Sequence, residues 1–249
     1  MPRRRSKIAA ATEAGATSRG RGGPTSTPPS SSTSLPRRFA AAGYRVGLMA
    51  RSEGRLKEFE AAMEGSLAIP CDVSDEAAVN EAVAVCTAEL GVPDVVVHNA
   101  PRGVFGTFQE IDPRDMEEAF RVNTMSLLYM ARAVAPDMIE RGSGAIMVTG
   151  NTSAFRGKPN FSGFAPTKAA QRILAESMAR DLGPKGIHVA YIMIDAVIDL
   201  RWTRRTRPHL KDEDFAHPDD LAESIFQVSQ QPRSAWTFNM DLRPFKETW

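Results

Sequence analysis

Several polar side chains of this 249-residue sequence fall directly after short apolar runs, where a parallel sheet would expose its carboxyl edge. Arg51 follows YRVGLMA. An acid at such a place suits ribose hydroxyls, whereas an arginine suits a 2′-phosphate. Taken alone, Arg51 is equally an exposed arginine before a helix. Cys71-Asp72-Val73-Ser74-Asp75 follows SLAIP. Asp72 suits an adenine amino group, or serves with Ser74 only in capping a helix. Asn99-Ala100 closes DVVVH and allows a ligand close to the backbone. Asn123 interrupts a helical pattern, where Asn is a poor former. It is either a polar residue on an exposed face or an amide held for a buried water or a kink. Asn151-Thr152-Ser153 follows GAIMVTG, and Phe164-Ala165-Pro166-Thr167-Lys168 stands at a helix start.

The elements that must position these residues alternate regularly. Strands are predicted over residues 44–50, 66–70, 94–98, 144–150, 187–194 and 235–240. Helices are predicted over 53–63, 75–90 with Ser74 as N-cap, 112–138 with Asp112 as N-cap, 164–182 and 218–230. Several strands are apolar on both faces. This pattern predicts an α/β domain with a doubly wound parallel sheet covered by helices.

Composition excludes other classes. The net charge is +1, with 42% apolar and 24% charged residues, so no global charge calls for nucleic acid or a membrane surface. Two cysteines, Cys71 and Cys86, are too few for a disulfide scaffold, and no metal-type Cys/His spacing occurs. No apolar run approaches the ~20 residues of a membrane span. The charge is uneven: residues 1–38 hold eight Lys or Arg and one acid, and the rest holds 23 basic and 29 acidic residues. Residues 1–35 are basic, rich in Ser and Pro and poor in bulky apolar groups, so they read as a disordered leader. The Arg-rich, acid-poor composition also fits an organelle transit peptide. The expected domain is therefore 36–249, in a cytoplasmic protein or, with a transit peptide, an organellar one.

In this order and spacing, Ala50-Arg51, Asp72-Val73-Ser74-Asp75, Asn99-Ala100, Asn123, the segment 150–153 and Lys168 resemble the short-chain dehydrogenase/reductase (SDR) family, from about Pro36 to Trp249. The resemblance implies a Rossmann-type fold and an NAD(P)-linked oxidation or reduction. By position, Arg51 would favour NADP(H) over NAD(H), and Asp72 and Val73 would meet the adenine. Asn99 and Ala100 would line the cofactor ribose, Lys168 would bind the nicotinamide ribose, and the backbone near Ile198 would meet the carboxamide. Asn123 would hold a water in a proton relay.

Two departures stand against the family pattern. The family's Tyr-x-x-x-Lys is here Phe164-x-x-x-Lys168, and its Ser, thirteen residues before the Tyr, is Asn151. Phe164 has no proton to give. Lys168, Asn151 and the hydroxyl of Ser153 remain as candidate catalytic groups. The glycine-rich phosphate loop is also not intact: residues 15–22 are a near miss, and Ile8-Ala9-Ala10-Ala11 before them is a poor strand. The first strand therefore reads as degenerate or missing. Either residues 7–14 stand in for it, or another subunit does, or this N-terminus is not the natural one.

The expected function is an NADP(H)-dependent oxidoreductase acting on a small carbonyl, alcohol or enone. The alternative is a catalytically silent SDR-fold binding or scaffold protein, or a truncated gene product, that turns over no cofactor. The expected partners are a small-molecule substrate and further copies of the chain, as a homodimer or homotetramer, with no nucleic acid and no membrane. Arg201, Arg204, Arg205 and Arg207 in the expected substrate loop suggest an anionic group, or simply an exposed charged loop.

Overall fold

The computed structural model describes residues 7–13 and 34–247. Seven strands form one sheet in the order β3-β2-β1-β4-β5-β6-β9, every pair parallel. They are β1 (Lys7–Glu13), β2 (Tyr44–Ala50), β3 (Leu67–Pro70), β4 (Val95–Asn99), β5 (Gly144–Gly150), β6 (Ile187–Ile194) and β9 (Asn239–Leu242). A two-residue pair, β7 (Val197–Ile198) with β8 (Phe215–Ala216), lies outside that sheet, with the short helix α7 (Arg201–Thr206) between its two strands in sequence.

Helices cover both faces because the central strands are apolar on both. Against one face lie α3 (Glu76–Glu89), α5 (Ser126–Arg141) and α6 (Ala165–Leu182), through Val79, Cys86, Leu127, Met130, Met138 and Ala175. Against the other lie α1 (Ser34–Ala41), α2 (Glu53–Ala62) and α8 (Pro218–Ser229), through Phe39, Phe59, Ala222 and Ile225. Phe39 and Phe226 meet edge to face, with ring centroids 5.2 Å apart, and the Arg38–Glu223 ion pair ties α1 to α8. The doubly wound Rossmann-type fold expected from the sequence is present.

The first strand is not missing. Of the readings open from the sequence, the one in which residues 7–14 stand in for it holds: residues 7–13 pair in parallel with both β2 and β4 at the centre of the sheet. Ala9 and Ala11 are buried in the core. A run of alanines is a weak strand former on its own, but two flanking strands supply its hydrogen bonds and burial. Seven residues of the stretch expected as a leader thus pair within the sheet. The glycine near miss at 15–22 lies outside the described residues.

Smaller corrections follow local hydrogen bonds. Asp75, not Ser74, caps α3, accepting from the Ala77 and Ala78 amides. The long helix expected over 112–138 is α4 (Pro113–Phe120) and α5, joined by a π turn, Arg121–Met125, that contains Asn123. The last strand starts at Asn239 rather than 235, because residues 233–235 form a 3-10 turn.

Candidate active site

In a doubly wound sheet the ligand crevice opens at the carboxyl ends of the strands, where the order reverses. Here that point lies between β1 and β4, both neighbours in space but far apart in sequence. Three side chains fasten the strand ends. The Asn99 amide donates to Thr12 Oγ1 at 3.0 Å, and Thr149 Oγ1 donates to Asn99 Oδ1 at 2.7 Å. The ends of β1, β4 and β5 are thereby held in register. Ala100, the next residue, is buried.

Beside these ends lies a cleft of about 450 Å³ lined by Arg51, Asp72, Ser74, Arg102, Arg114 and Arg121, among others. Asp72 Oδ1 accepts from the Ser74 amide at 3.0 Å and from Ser74 Oγ at 2.7 Å. Partial burial opposes its ionisation, but these two bonds and the Arg51 charge prevail and hold its carboxyl below the usual range. Arg102 is committed to Asp115 and Glu118. Arg51 is exposed and makes no ion pair among the described residues. Val73, by contrast, packs its side chain into the core.

The second half of the site is buried. Lys168 is 2% exposed, and its Nζ donates to the Thr149 carbonyl at 3.1 Å and to Gln171 Oε1. Burial pushes its pKa down to about 7. Gln171 continues to His98 Nδ1 at 3.2 Å, and His98 Nε2 meets Ser126 Oγ at 2.6 Å. Burial, aided by the Lys168 charge, lowers His98 to about 3.

Asn123 is fully buried. Its Oδ1 accepts from the Arg102 amide at 2.7 Å, and its Nδ2 donates to the Arg102 carbonyl at 2.9 Å and to Thr167 Oγ1 at 2.8 Å. Of the readings open from sequence, the exposed face is excluded; the amide sits in a π turn and ties the loop after β4 to α6. Asn151 Oδ1 accepts from the Ser153 amide at 3.1 Å, so Asn151 caps the short turn that buries Ser153. Ile198 lies in β7, and its carbonyl accepts from Thr203 Oγ1 at 2.6 Å.

Comparison with known proteins adds to this geometry. The profile of the short chain dehydrogenase family matches residues 33–205. The chain belongs to the short chain dehydrogenase family. Among curated proteins it is 24% identical to an uncharacterized oxidoreductase of Staphylococcus aureus, over 81% of this chain and 87% of that one. Among solved structures, an alcohol dehydrogenase of Thermococcus sibiricus complexed with 5-hydroxy-NADP superposes with a TM-score of 0.81 at 24% identity, covering 97% and 98% of the two chains. An NADPH-bound short chain oxidoreductase of Pseudomonas aeruginosa, described as containing an atypical catalytic center, superposes with a TM-score of 0.80 at 22% identity, covering 96% of each.

This short chain dehydrogenase keeps Lys168 but places Phe164 one turn before it, buried and 5.5 Å from the Phe105 ring. Thr12, Thr149, Gln171 and Tyr191 carried no readable sequence signal of their role. His98 had a usable cue, as a histidine ending an apolar run. The chemistry available is that of a buried amine beside amides and hydroxyls. Among the described residues no group of three His, Cys, Asp or Glu could hold a metal, and no helix is long and apolar enough to cross a membrane.

Proposed function

We propose that this short chain dehydrogenase is an NADP(H)-linked oxidoreductase acting on a small carbonyl, alcohol or enone, with Lys168 carrying the proton in place of the family's tyrosine. The observation that carries the cofactor preference is Arg51, a cation without an ion pair among the described residues, in a cleft at the carboxyl end of β2. A 2′-phosphate would give this guanidinium a direct ion-pair partner, where the nearby Asp72 carboxylate acts on it only at longer range. The solved relatives described with NADPH and a 5-hydroxy-NADP point the same way.

The cleft fits the adenosine end of such a cofactor. Asp72, oriented by Ser74, would accept from the adenine amino group, and the backbone of Val73 would flank the ring. Asn99 and Ala100 would line the ribose, where Thr12 and Thr149 already fix the backbone and side chain of Asn99. The Ile198 backbone would face the carboxamide. When bound, the nicotinamide gives or takes the hydride.

The chain itself must polarise the reacting oxygen and move a proton. Phe164 supplies only an apolar wall. Asn151 is held by its own Oδ1 to Ser153, which leaves its amide N–H groups as the donors for a carbonyl oxygen. Lys168, with a pKa near neutrality, can exist as ammonium or amine at physiological pH, as an acid–base catalyst requires. β9, at the edge of the sheet among the described residues, and the exposed Phe245 support a homodimer or homotetramer, which light scattering would check.

Titration of the full-length chain with NADPH and NADH, followed by nicotinamide fluorescence, tests the reading. Micromolar NADPH binding, at least tenfold tighter than NADH, is the expected result. Equal affinities would remove the NADP preference. No binding by a folded chain would overturn the enzyme reading and leave a silent scaffold.

A further inference from the structure

Lys168, Gln171, His98 and Ser126 come from three elements, α6, β4 and α5, and each is at most 2% exposed. They form one unbroken hydrogen-bond chain that ends on the Val122 carbonyl in the π turn.

The direction of that chain is fixed at its far end. A carbonyl only accepts, so Ser126 donates its single hydroxyl proton to Val122. Ser126 Oγ must then accept from His98, which places the imidazole proton on Nε2. His98 Nδ1 therefore carries a lone pair and accepts from the Gln171 amide N–H. That orientation turns Gln171 Oε1 toward Lys168, which donates to it. A second proton on His98 would set Nδ1–H against the Gln171 N–H groups, so geometry and burial both keep His98 neutral.

Lys168 thus has two of its hydrogens claimed, by Gln171 Oε1 and by the Thr149 carbonyl. An ammonium has three. Loss of the third leaves both bonds intact and a lone pair in the remaining tetrahedral direction. The amine can give and take one proton without moving. This matters because Thr149 also anchors Asn99, so the amine is held beside the ends of β4 and β5.

We infer that Gln171, His98 and Ser126 are positioning residues that hold Lys168 by a one-way hydrogen-bond chain, leaving one proton free for exchange with substrate. The inference rests on the reading of Lys168 as the proton carrier. The titratable group facing Lys168 is His98 on β4. From β5 it meets the Thr149 carbonyl, from α5 Ser126 by way of His98, and on its own helix Gln171 and Phe164. It makes no ion pair among the described residues.

The test uses the full chain without added cofactor. Nitrogen NMR of labelled lysine, with the Lys168 signal assigned by its loss in Lys168→Met, follows the amine from pH 5 to 10. Nitrogen shifts of His98 report its tautomer over the same range. The expected result is the Nε2–H tautomer throughout, and a Lys168 midpoint that rises by at least one pH unit, a tenfold change in proton affinity, in Gln171→Glu. A carboxylate in place of the amide oxygen favours the ammonium. The Nδ1–H tautomer, or a midpoint unmoved in a folded Gln171→Glu, overturns the chain. Should Gln171→Glu fail to fold, Ser126→Ala serves instead: it must alter the His98 signals and the Lys168 midpoint together, and independence of the two overturns the inference. The two readings also fail separately. Absence of hydride transfer in the wild type, with the NMR results as expected, removes the catalytic use but not the chain. Turnover with an unmoved midpoint removes the chain alone.

Discussion

The phenol of Tyr191 lies across Gly150, so that a Cβ at position 150 would overlap the ring and its hydroxyl. The two residues stand on neighbouring strands, β6 and β5, just below Asn151. Tyr191 is fully buried, and its hydroxyl reaches the Asn151 backbone without a hydrogen bond of ordinary geometry. Burial pushes its pKa up. Glycine at 150 is therefore a packing requirement. Gly150→Ala is expected to destabilise the chain by about 3 kcal/mol or more through overpacking. In a Tyr191→Ala background the same change should cost almost nothing. Urea unfolding of the four proteins measures the coupling, and additive costs would contradict the overlap.

Arg51→Ala tests the cleft without touching the buried half of the site. Arg51 is exposed, so the substitution should leave stability within about 0.5 kcal/mol. Loss of a charge-assisted pair to a 2′-phosphate costs about 1.5–3 kcal/mol, or roughly 10- to 150-fold in affinity. NADPH binding should weaken by that factor while NADH binding stays nearly constant. A parallel loss for both would show that Arg51 does not read the 2′-phosphate.

How much of this was legible in the sequence depends on how local each signal is. Runs such as IHVAYIMI announce strands buried on both faces, and Pro113 and Pro218 mark helix starts, because these signals act over a few residues. The central strand was legible only as one of three open alternatives: its alanines carry little strand preference, and its hydrogen-bonding partners β2 and β4 lie far along the chain. The π turn was visible only as an awkward Asn123 in a helical pattern, since one inserted residue barely disturbs the period. The cleft residues Arg51, Asp72 and Ser74 could be singled out because each stands just after a strand. The chain from Lys168 to Ser126 was not, since its members lie 28 to 73 residues apart across three elements, apart from the Lys168–Gln171 step.

Asn123 joins that π turn to two neighbours, and its removal should be felt in stability. Asn123→Ala leaves the Arg102 amide, the Arg102 carbonyl and Thr167 Oγ1 without their partner. Thr167 keeps a bond to the Phe164 carbonyl at 2.7 Å. The expected loss is about 3 kcal/mol, from unpaired buried groups and a small cavity. Hydrogen exchange should quicken first in the loop after β4. Unchanged exchange there would mean that the amide does not secure it.

Stability should rise with pH above neutrality because of Lys168. Its folded pKa is about 7, below the ordinary lysine value, because burial penalises the charge. Between pH 7 and about 10 the unfolded chain holds the extra proton and the folded chain does not, so the folded state gains as pH rises. The full difference is on the order of 5 kcal/mol. Lys168→Met removes this dependence, so its stability relative to wild type should fall as pH climbs from 7 to 10. Parallel curves for the two proteins would refute the low folded pKa.

Restoring the family's tyrosine should not by itself restore its chemistry. In the family pattern a lysine one turn on lowers the phenol pKa. Here the Lys168 amine is turned to Thr149 and Gln171, and position 164 is buried beside Phe105. The phenol of Phe164→Tyr should therefore titrate in the ordinary tyrosine range or above, and turnover should change less than tenfold. Adding Gln171→Leu frees one N–H of Lys168, and the double variant should lower the phenol pKa relative to the single one. Ultraviolet difference titration reads both. A phenol already acidic in Phe164→Tyr alone would mean that the amine faces position 164 after all, and that Gln171 does not hold it away.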